Sequence, residues 1–360
     1  MKQSPYSLIA QWTDELAGVQ PIDWSRMDGG RLLLTGCTGP FGMWILNRIS
    51  RACEHEGLEL GETTVVTRHA ASAAPWLSLL SPRCRLRVVE CDIRQIDTLQ
   101  LEPTHVIHGA TTNARETSAG ANPEAKFETV VDGTRALTRL LREREQVDIL
   151  YLSSGIAYGI NSEALIKEAD MGAPYTLDCA AALGHAKRAA EFLLACHSAR
   201  TGSRVTIARC FSFSGPGIPL DIHYALGNFI AQALYSDEII IKGHGTEVRS
   251  YMHLGDMALW IATFLARKFD QPNTSMFNVG SDQNITIEDL AKTVANTLNP
   301  KSTIKILKSD TLNKSGNRNQ SYVPSLSKAK SELRLDIWTP LEKSIQQMAL
   351  FEKATKGKRL

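Results

Sequence analysis

The chain has 360 residues with 40 Lys and Arg against 38 Asp and Glu, and its formal net charge is only +2, without a basic run that would follow a phosphate backbone. We therefore exclude nucleic acid as a partner. Seven cysteines without a CxxC pair or a Cys/His cluster predict reduced thiols and no metal site, and no apolar stretch is long enough to cross a membrane. We expect a cytoplasmic protein that does not bind a membrane.

Strands alternate with helices along the first part of the chain. Ahead of them, Leu8, Trp12 and Leu16 recur at helical spacing and predict a helix outside the core. The predicted strands cover residues 31–35, 63–67, 86–89, 105–108, 148–153 and 204–208, and the predicted helices cover residues 41–53, 123–145 and 179–198. Because such alternation implies parallel pairing, we predict an α/β fold with a Rossmann-type, doubly wound parallel sheet.

The alternation stops at the Gly-Pro-Gly turn that begins at residue 215, and shorter elements follow. We expect a smaller C-terminal lobe there, closing over the carboxyl edge of the sheet, where ligands bind in open α/β folds. The predicted organisation is a helical extension over 1–29, a dinucleotide-binding Rossmann domain over 30–215 with return segments later in the chain, a mainly substrate-binding lobe over 216–345, and a tail over 346–360.

A glycine-rich loop, Thr35–Gly42, joins the first predicted strand to the first helix of the alternating region. Its first glycine permits a tight turn, its second lets the backbone approach a pyrophosphate, and its third lets helix and strand pack closely. The free N–H groups of the helix N-terminus favour an anion at the same place. The loop therefore predicts a dinucleotide site, whose loop contacts are Gly36, Thr38, Gly39, Pro40, Phe41 and Gly42.

The end of the second strand indicates which dinucleotide binds. An acidic residue here would hydrogen-bond a ribose 2′-hydroxyl and repel a 2′-phosphate, but this chain has Thr67 followed by Arg68. A guanidinium pairs well with phosphate. We therefore predict NADP, with Arg68 as its phosphate contact and NAD as the alternative cofactor.

The spacing TGxxGxxG resembles the short-chain dehydrogenase/reductase superfamily. Further segments are similar to its extended branch, the NAD-dependent epimerase/dehydratase family, which mostly acts on nucleotide sugars. They are Cys91-Asp92-Ile93, His108-Gly109-Ala110-Thr111-Thr112, Gly133-Thr134, Ser153-Ser154-Gly155-Ile156-Ala157-Tyr158-Gly159, Arg209-Cys210-Phe211-Ser212, Arg249-Ser250-Tyr251 and Phe277-Asn278-Val279-Gly280. The resemblance spans about residues 31 to 345. It implies that Asp92 and Ile93 contact adenine and that Gly109, Ala110 and Thr111 pass beside the cofactor.

The resemblance also implies a catalytic set of Ser or Thr, Tyr and Lys. The Ser position holds Ser154 and the Lys position holds Lys187, which would also bind the cofactor ribose, but the Tyr position holds Leu183. Leu carries no transferable proton, so another group has to act. Tyr175 in the loop before the helix is our candidate, and Asp178 in the same loop and Tyr158 at the end of the fifth strand are the alternatives. A branch of nucleotide-sugar 4,6-dehydratases has Met at the Tyr position of a similar run. The alternatives are a weakened ketoreductase or epimerase, and a non-catalytic NADP-binding protein.

On the substrate side, the resemblance implies contacts to a nucleotide sugar. The expected residues are Asn113, Ser154, Ser212, Asn228 and Arg249, where Ser212 replaces the family's usual Asn. The predicted function is a nucleotide-sugar-modifying enzyme of the epimerase or 4,6-dehydratase type, which oxidises its sugar transiently. The resemblance further suggests a homodimer through the helices at 123–145 and 179–198.

Overall fold

The computed structural model is built around a seven-stranded parallel sheet. It describes residues 4–112, 122–144, 146–159, 163–222, 224–268, 274–307 and 321–356. In chain order the strands are β1 (Arg31–Thr35), β2 (Glu62–Thr67), β3 (Leu86–Glu90), β4 (His105–His108), β5 (Asp148–Ser154), β6 (Arg204–Cys210), β7 (Phe213–Ser214), β8 (Glu238–Lys242), β9 (Val248–Ser250), β10 (Met252–His253), β11 (Thr274–Val279), β12 (Asn284–Thr286), β13 (Thr303–Leu307) and β14 (Ser321–Tyr322). The main sheet has the order β11-β6-β5-β4-β1-β2-β3. The prediction of a doubly wound parallel sheet is confirmed.

Helices cover both faces of this sheet. Those described are α1 (Pro5–Ala17), α2 (Pro40–His55), α3 (Ala70–Leu77), α4 (Pro123–Leu140), α5 (Ala182–Thr201), α6 (Ala225–Tyr235), α7 (Leu254–Ala266), α8 (Ile287–Leu298), α9 (Ser327–Leu333) and α10 (Leu341–Lys356). In β1, Leu32 and Leu34 face one side and pack with α1, α2 and α7, whereas Leu33 faces α4 and α5 on the other. The strand is apolar throughout because both its faces are buried.

The predicted helix boundaries shift in two places. The helix predicted from residue 179 begins at Ala182, because Cys179–Ala181 forms a separate 3-10 turn in which the Asp178 carboxylate accepts from Ala180 N–H. The helix predicted to reach residue 145 ends at Leu140. Within the alternating region, the short Ala-rich helix α3 was not predicted, and the elements after residue 210 were not predicted individually; among them, β11 returns from the C-terminal part of the chain to pair with β6.

The C-terminal lobe has a core of its own. Residues of α6, α8 and α10 pack there around Ile239 and Ile241 of β8, which pairs with β13 in parallel. The prediction of a tail over 346–360 is wrong for residues 346–356, which lie in α10. Met348 and Ala349 are buried in this core, so the helix packs against the lobe.

Candidate active site

The three loop glycines have different surroundings. Gly36 has a left-handed φ of 68°, and a Cβ there would lie 2.4 Å from Ala110 Cα. A Cβ on Gly42 would lie 1.8 Å from the carbonyl oxygen of Cys37. At Gly39, which caps the N-terminus of α2, no atom beyond its chain neighbours lies within 4 Å of that position among the described residues. The loop therefore packs tightly at both ends and leaves room in the middle, where a phosphate fits beside the helix N-terminus.

Replacing Gly39 by Ala is therefore expected to weaken cofactor binding by about 10-fold or more without loss of stability. Its φ of −87° suits any L-residue, so the new methyl group affects only the space left for the phosphate. Gly18→Ala is the matched control, because Gly18 also has open space around it and a φ of −84°. Calorimetric titration with NADP and NAD, beside urea unfolding, measures both effects. Unchanged cofactor affinity in Gly39→Ala would contradict this placement of the pyrophosphate.

The other residues predicted at the adenosine end lie at the carboxyl ends of β2 and β3. Arg68 is exposed directly after β2. Asp92 accepts hydrogen bonds from the Arg94 guanidinium at 2.8 and 3.0 Å, and Arg94, with a smaller contribution from the charge of Arg68, lowers the pKa of this carboxyl. Thr38 Oγ1 lies 3.4 Å from Thr67 Oγ1. Arg68 and Arg94 thus both act on the carboxylate of Asp92, the residue that the resemblance places beside adenine.

Small residues at the end of β4 and on α4 line the expected cofactor half of the site. The side chain of Ile93 is buried, and a Cβ on Gly133 would lie 2.9 Å from it, so Gly133 lets α4 approach closely. A Cβ on Gly109 would lie 3.0 Å from the Leu152 side chain. Thr111 Oγ1 is buried and has no hydrogen-bond partner within the described part of the chain. Buried hydroxyl groups normally have a hydrogen-bond partner, so this hydroxyl beside the glycine loop is available to a bound ligand.

A buried histidine beneath the loop was not predicted. His108 Nδ1 lies 2.7 Å from Thr35 Oγ1, and its Nε2 lies 3.0 Å from Thr134 Oγ1. Because the Thr134 hydroxyl already donates to Val130 O, Nε2 must donate to Thr134 and Nδ1 must accept from Thr35. Burial, together with the charge of Lys187, lowers the pKa of His108 to about 3. The neutral ring therefore ties β1, β4 and α4 together below the cofactor loop.

The two residues predicted to be catalytic lie at the end of β5 and on α5. Ser154 is the last residue of β5, and its Oγ accepts from Ile156 N–H at 3.4 Å. Lys187 is buried on α5, where its Nζ donates to Leu152 O at 2.7 Å and lies 4.8 Å from the centre of the Tyr151 ring. Burial lowers the pKa of Lys187 to about 8. The structure thus places both predicted residues at β5, near the carboxyl edge of the sheet.

The position four residues before Lys187 is apolar. Leu183 is half-buried and packs against the hydrophobic cluster between the sheet and α5. Tyr175, our candidate for the missing group, lies before α5 with 69% of its surface exposed, so its assignment stays a prediction. Tyr158 is already engaged, because its hydroxyl donates to Asn278 Oδ1 at 2.8 Å and its ring lies 4.2 Å from the Arg209 guanidinium.

A buried ion pair supports the segment that carries Ser154. Glu191 on α5 accepts from Arg209 Nε at 2.9 Å and from Arg209 Nη2 at 2.6 Å, and it also accepts from Ser153 Oγ at 2.5 Å. Both charged side chains are less than 9% exposed. The network joins α5, β5 and β6 directly behind the candidate site. The segments containing Arg209 and Asn278 were recognised in the sequence, but this supporting role was not.

The predicted substrate residues are spread over the lobe side of the site. Ser212 follows β6, and its main-chain carbonyl accepts from Met252 N–H at 3.1 Å. Asn228 is half-buried in the first turn of α6. Arg249 lies on β9, with Nη1 donating to Val248 O at 2.8 Å. Asn113 lies outside the described residues.

One residue near Ser154 was missed. Tyr322 on β14 pairs in register with Arg249, and its hydroxyl lies 2.6 Å from the position that a Cβ on Gly155 would take. A lone Tyr after a segment rich in Ser, Lys and Asn carried no sequence signal, since only the β9–β14 pairing brings it to the site. Elsewhere in the described ranges, no three His, Cys, Asp or Glu side chains form a group that could hold a metal ion, and no helix has the length and apolarity to cross a membrane.

Comparisons with known proteins agree with the fold and the motifs. UDP-glucuronic acid decarboxylase 3 from Arabidopsis thaliana is 26% identical over 322 residues, covering 89% of this chain and 88% of that protein. Among solved structures, UDP-glucose 4-epimerase from Thermotoga maritima superposes with a TM-score of 0.75 at 19% identity, covering 91% of this chain and 99% of that one. The dTDP-glucose 4,6-dehydratase of Streptomyces venezuelae, solved with NAD bound, gives 0.74 at 19% identity over 91% and 98%.

The family model for the NAD dependent epimerase/dehydratase family matches residues 32–280. The match begins at β1 and ends directly after β11, so it includes every strand of the main sheet together with the glycine loop, Ser154 and Lys187. The family expected from the sequence motifs is confirmed: the chain belongs to the NAD dependent epimerase/dehydratase family.

Proposed function

We propose that this protein is a nucleotide-sugar-modifying enzyme of the epimerase or 4,6-dehydratase type, which oxidises its sugar transiently with a tightly held nicotinamide dinucleotide. The observation that carries the proposal is the open space at Gly39, at the N-terminus of α2, with Ser154 and Lys187 retained near the same edge of the sheet. The family membership and the names of the relatives support the substrate class.

Each half of the site has a defined task in this proposal. A bound nicotinamide would supply the acceptor, and later the donor, of a hydride. Lys187 would hold the adjoining ribose, where its positive charge favours electron density at the reacting oxygen. The Ser154 hydroxyl would orient the sugar hydroxyl that becomes a ketone. Arg249 would pair with the diphosphate, which suits the planar guanidinium. The ketone acidifies the neighbouring carbon, so epimerisation or loss of water becomes accessible.

The atypical part of the proposed site is the Leu183-x-x-x-Lys187 arrangement. Leu183 is apolar and packed into the cluster below α5, so the proton of the sugar hydroxyl has to pass to a different group. The retention of Ser154 and Lys187 supports an active enzyme over a non-catalytic binding protein, because a protein that only binds the cofactor has no need of a serine aimed at the substrate.

For the cofactor we propose NADP, with the 2′-phosphate held by Arg68. The charge of Arg68 contributes to the lowered pKa of Asp92, the residue expected beside adenine, which supports a place for Arg68 at the adenosine end of the site. Arg68→Asp is expected to shift the ratio of NADP to NAD affinity by about 10-fold or more toward NAD. Arg87→Asp, at an exposed residue of β3, makes the same charge change and serves as the control. Equal shifts in both variants, or none, would argue against this assignment.

The proposed reaction is tested by incubating the purified protein with UDP-, dTDP-, GDP- and CDP-sugars, including UDP-glucuronic acid. Mass spectrometry detects loss of water or of carbon dioxide. Epimers have equal mass, so they are separated by chromatography and identified by NMR. We expect conversion of at least one sugar. Silence across the panel, in a protein that still binds NADP or NAD, would favour a non-catalytic binding protein, and reduction of an added 4-keto sugar would favour a ketoreductase.

We also propose a homodimer through α4 and α5. These two helices pack side by side, and Phe127 on α4 and Phe192 on α5 are exposed by 38% and 67%. Exposed aromatic side chains on adjacent helices suit a symmetric interface. Sedimentation velocity distinguishes the dimer from a monomer of 39.6 kDa.

A further inference from the structure

Trp44 lies in α2, shortly after the glycine loop, and contacts both chain segments that lead into the C-terminal lobe. Its side chain is fully buried, and its Nε1 donates to Pro216 O at 3.0 Å, in the Gly-Pro-Gly turn after β7. Its ring meets the His253 ring of β10 edge to face, with centroids 4.9 Å apart. A Cβ on Gly255, which follows β10, would lie 3.0 Å from Trp44 Cζ3. One side chain of α2 therefore contacts both segments.

The first turn of α2 packs closely on the same Gly-Pro-Gly turn. The rings of Phe41 and Phe213 lie 4.8 Å apart at an interplanar angle of 74°. Gly215 and Gly217 have φ values of 136° and 94°, which other residues rarely adopt. A Cβ on Gly217 would also lie 2.5 Å from Met43 Cε. The turn therefore has little freedom to change its shape while it stays in contact with α2.

The two segments connect Trp44 with residues that we expect to contact the nucleotide sugar. β7 and β10 pair in parallel, so Trp44 contacts a hydrogen-bonded unit. After the turn the chain packs on α6, where a Cβ on Gly227 would lie 2.8 Å from Pro219 O, and Asn228 is the next residue of that helix. Ahead of β10, strand β9 carries Arg249. The start of α2 is thus linked to both of these expected substrate contacts.

We infer that Trp44 couples the two ligand sites, so that a bound dinucleotide strengthens the binding of the nucleotide sugar. The inference rests on the proposed function of the site. The pyrophosphate would accept hydrogen bonds from the N–H groups at the start of α2 and would restrain this part of the helix. Trp44 extends the restraint to the Gly-Pro-Gly turn and to β10. A nucleotide sugar that binds after these segments are ordered loses less conformational entropy, so it binds more tightly.

The coupling is reciprocal, because the nucleotide sugar must raise the affinity for the dinucleotide by the same factor. This property suits a transient oxidation, in which the reduced cofactor and the keto sugar both have to stay bound until the hydride returns. Trp44 contacts neither ligand in this arrangement. It is a positioning residue that acts through the turn and through β10.

Trp44→Phe keeps an aromatic ring in the core and removes the donor to Pro216. In the wild-type protein we expect a saturating nucleoside diphosphate to raise the affinity for the dinucleotide about 10-fold. In Trp44→Phe the same addition should raise it by less than about threefold. Calorimetric titration with NADP and NAD measures the ratio, with UDP, dTDP, GDP and CDP as the probes. Equal ratios in the two proteins, or a wild-type protein that binds a probe without any coupling, would overturn the inference.

Trp260 on α7 provides the matched control. It is also fully buried, and its Nε1 donates to a main-chain carbonyl, Asp336 O, at 2.9 Å. Trp260→Phe therefore makes the same chemical change and should keep the wild-type coupling, and urea unfolding compares the stability of the two variants. Loss of coupling in both variants would mean that general loosening of the core is responsible, and it would overturn the specific role of Trp44.

A second variant weakens the same contact from the lobe side. Phe213→Leu removes the aromatic contact with Phe41 and leaves α2 unchanged in sequence. It should also reduce the coupling between dinucleotide and nucleoside diphosphate, and it replaces Trp44→Phe if that variant does not fold. Full coupling in Phe213→Leu would then contradict the inference.

Hydrogen–deuterium exchange tests the connection with the dinucleotide alone. NADP or NAD should slow amide exchange in peptides covering residues 213–218 and 252–256 of the wild-type protein and of Trp260→Phe, but not of Trp44→Phe. Slowing that persists in Trp44→Phe, or that is absent from the wild-type protein, would overturn the inference and leave the proposed function standing. If the slowing depends on Trp44 while no nucleoside diphosphate binds, the proposed substrate class is wrong and the link from α2 to the lobe stands, so the two failures are distinguishable.

Discussion

Replacing Glu191 by Leu is expected to lower the free energy of unfolding by about 3–5 kcal/mol. The variant leaves the Arg209 guanidinium without the two hydrogen bonds from Nε and Nη2, in a place where its side chain is only 6% exposed. Desolvation of an unpaired charge is the main cost, and the Ser153 hydroxyl loses its acceptor at the same time. Urea unfolding monitored by circular dichroism measures the difference.

The matched control removes both charges. Glu191→Leu combined with Arg209→Met should recover a large part of the lost stability, because a buried ion pair contributes less than the loss of one partner suggests. The hydrogen bond from Tyr158 to Asn278 does not involve either charge and should survive in the double variant. A single variant that loses less than about 1 kcal/mol would mean that water reaches Arg209 and that the pair is in effect exposed.

The local geometry that the sequence predicts for the glycine loop and for α5 depends on residues close together in the chain. Eight consecutive residues contain the turn at Gly36, the N-terminus of α2 at Gly39 and the close approach at Gly42. Each of these features follows from the position of its glycine in the motif. Lys187 likewise follows from its place in one helix, four residues after Leu183. Short-range geometry of this kind is fixed by steric exclusion, so a motif carries it.

The parts that were missed depend on contacts between distant segments. Tyr322 reaches Gly155, the residue after Ser154, only because β14 pairs with β9, and no periodicity in its own segment indicates that pairing. The Glu191–Arg209 pair crosses from α5 to β6. A tail was predicted over residues 346–360, whereas Met348 and Ala349 are buried in the core of the C-terminal lobe. In each case tertiary packing decided the outcome, which local composition does not encode.

Lys187→Met is expected to lower kcat/KM by about 1,000-fold and to leave the protein folded. The variant removes the charge that, in the proposed function, would hold the ribose and favour the reacting oxygen, while Met fills a similar volume beside Tyr151. The proposed ribose contact would be made in both ground and transition states, so cofactor affinity should fall as well. Calorimetric titration with cofactor and steady-state kinetics on the sugar found in the panel measure the two effects.

The difference in stability between Lys187→Met and the wild-type protein depends on pH, and the lowered pKa of Lys187 gives its direction. Burial lowers the pKa of Lys187 from 10.5 to about 8, so the unfolded chain binds more protons than the folded protein between these values. The charge of Lys187 therefore destabilises the fold fully below pH 8, and this penalty disappears as the pH rises to 10.5. The free energy of unfolding of Lys187→Met minus that of the wild-type protein should therefore be larger below pH 8 than above pH 10.5. Equal differences in unfolding free energy below pH 8 and above pH 10.5 would mean that Lys187 is hydrated in the folded protein. That result would contradict the buried position from which Lys187 is proposed to act on the ribose.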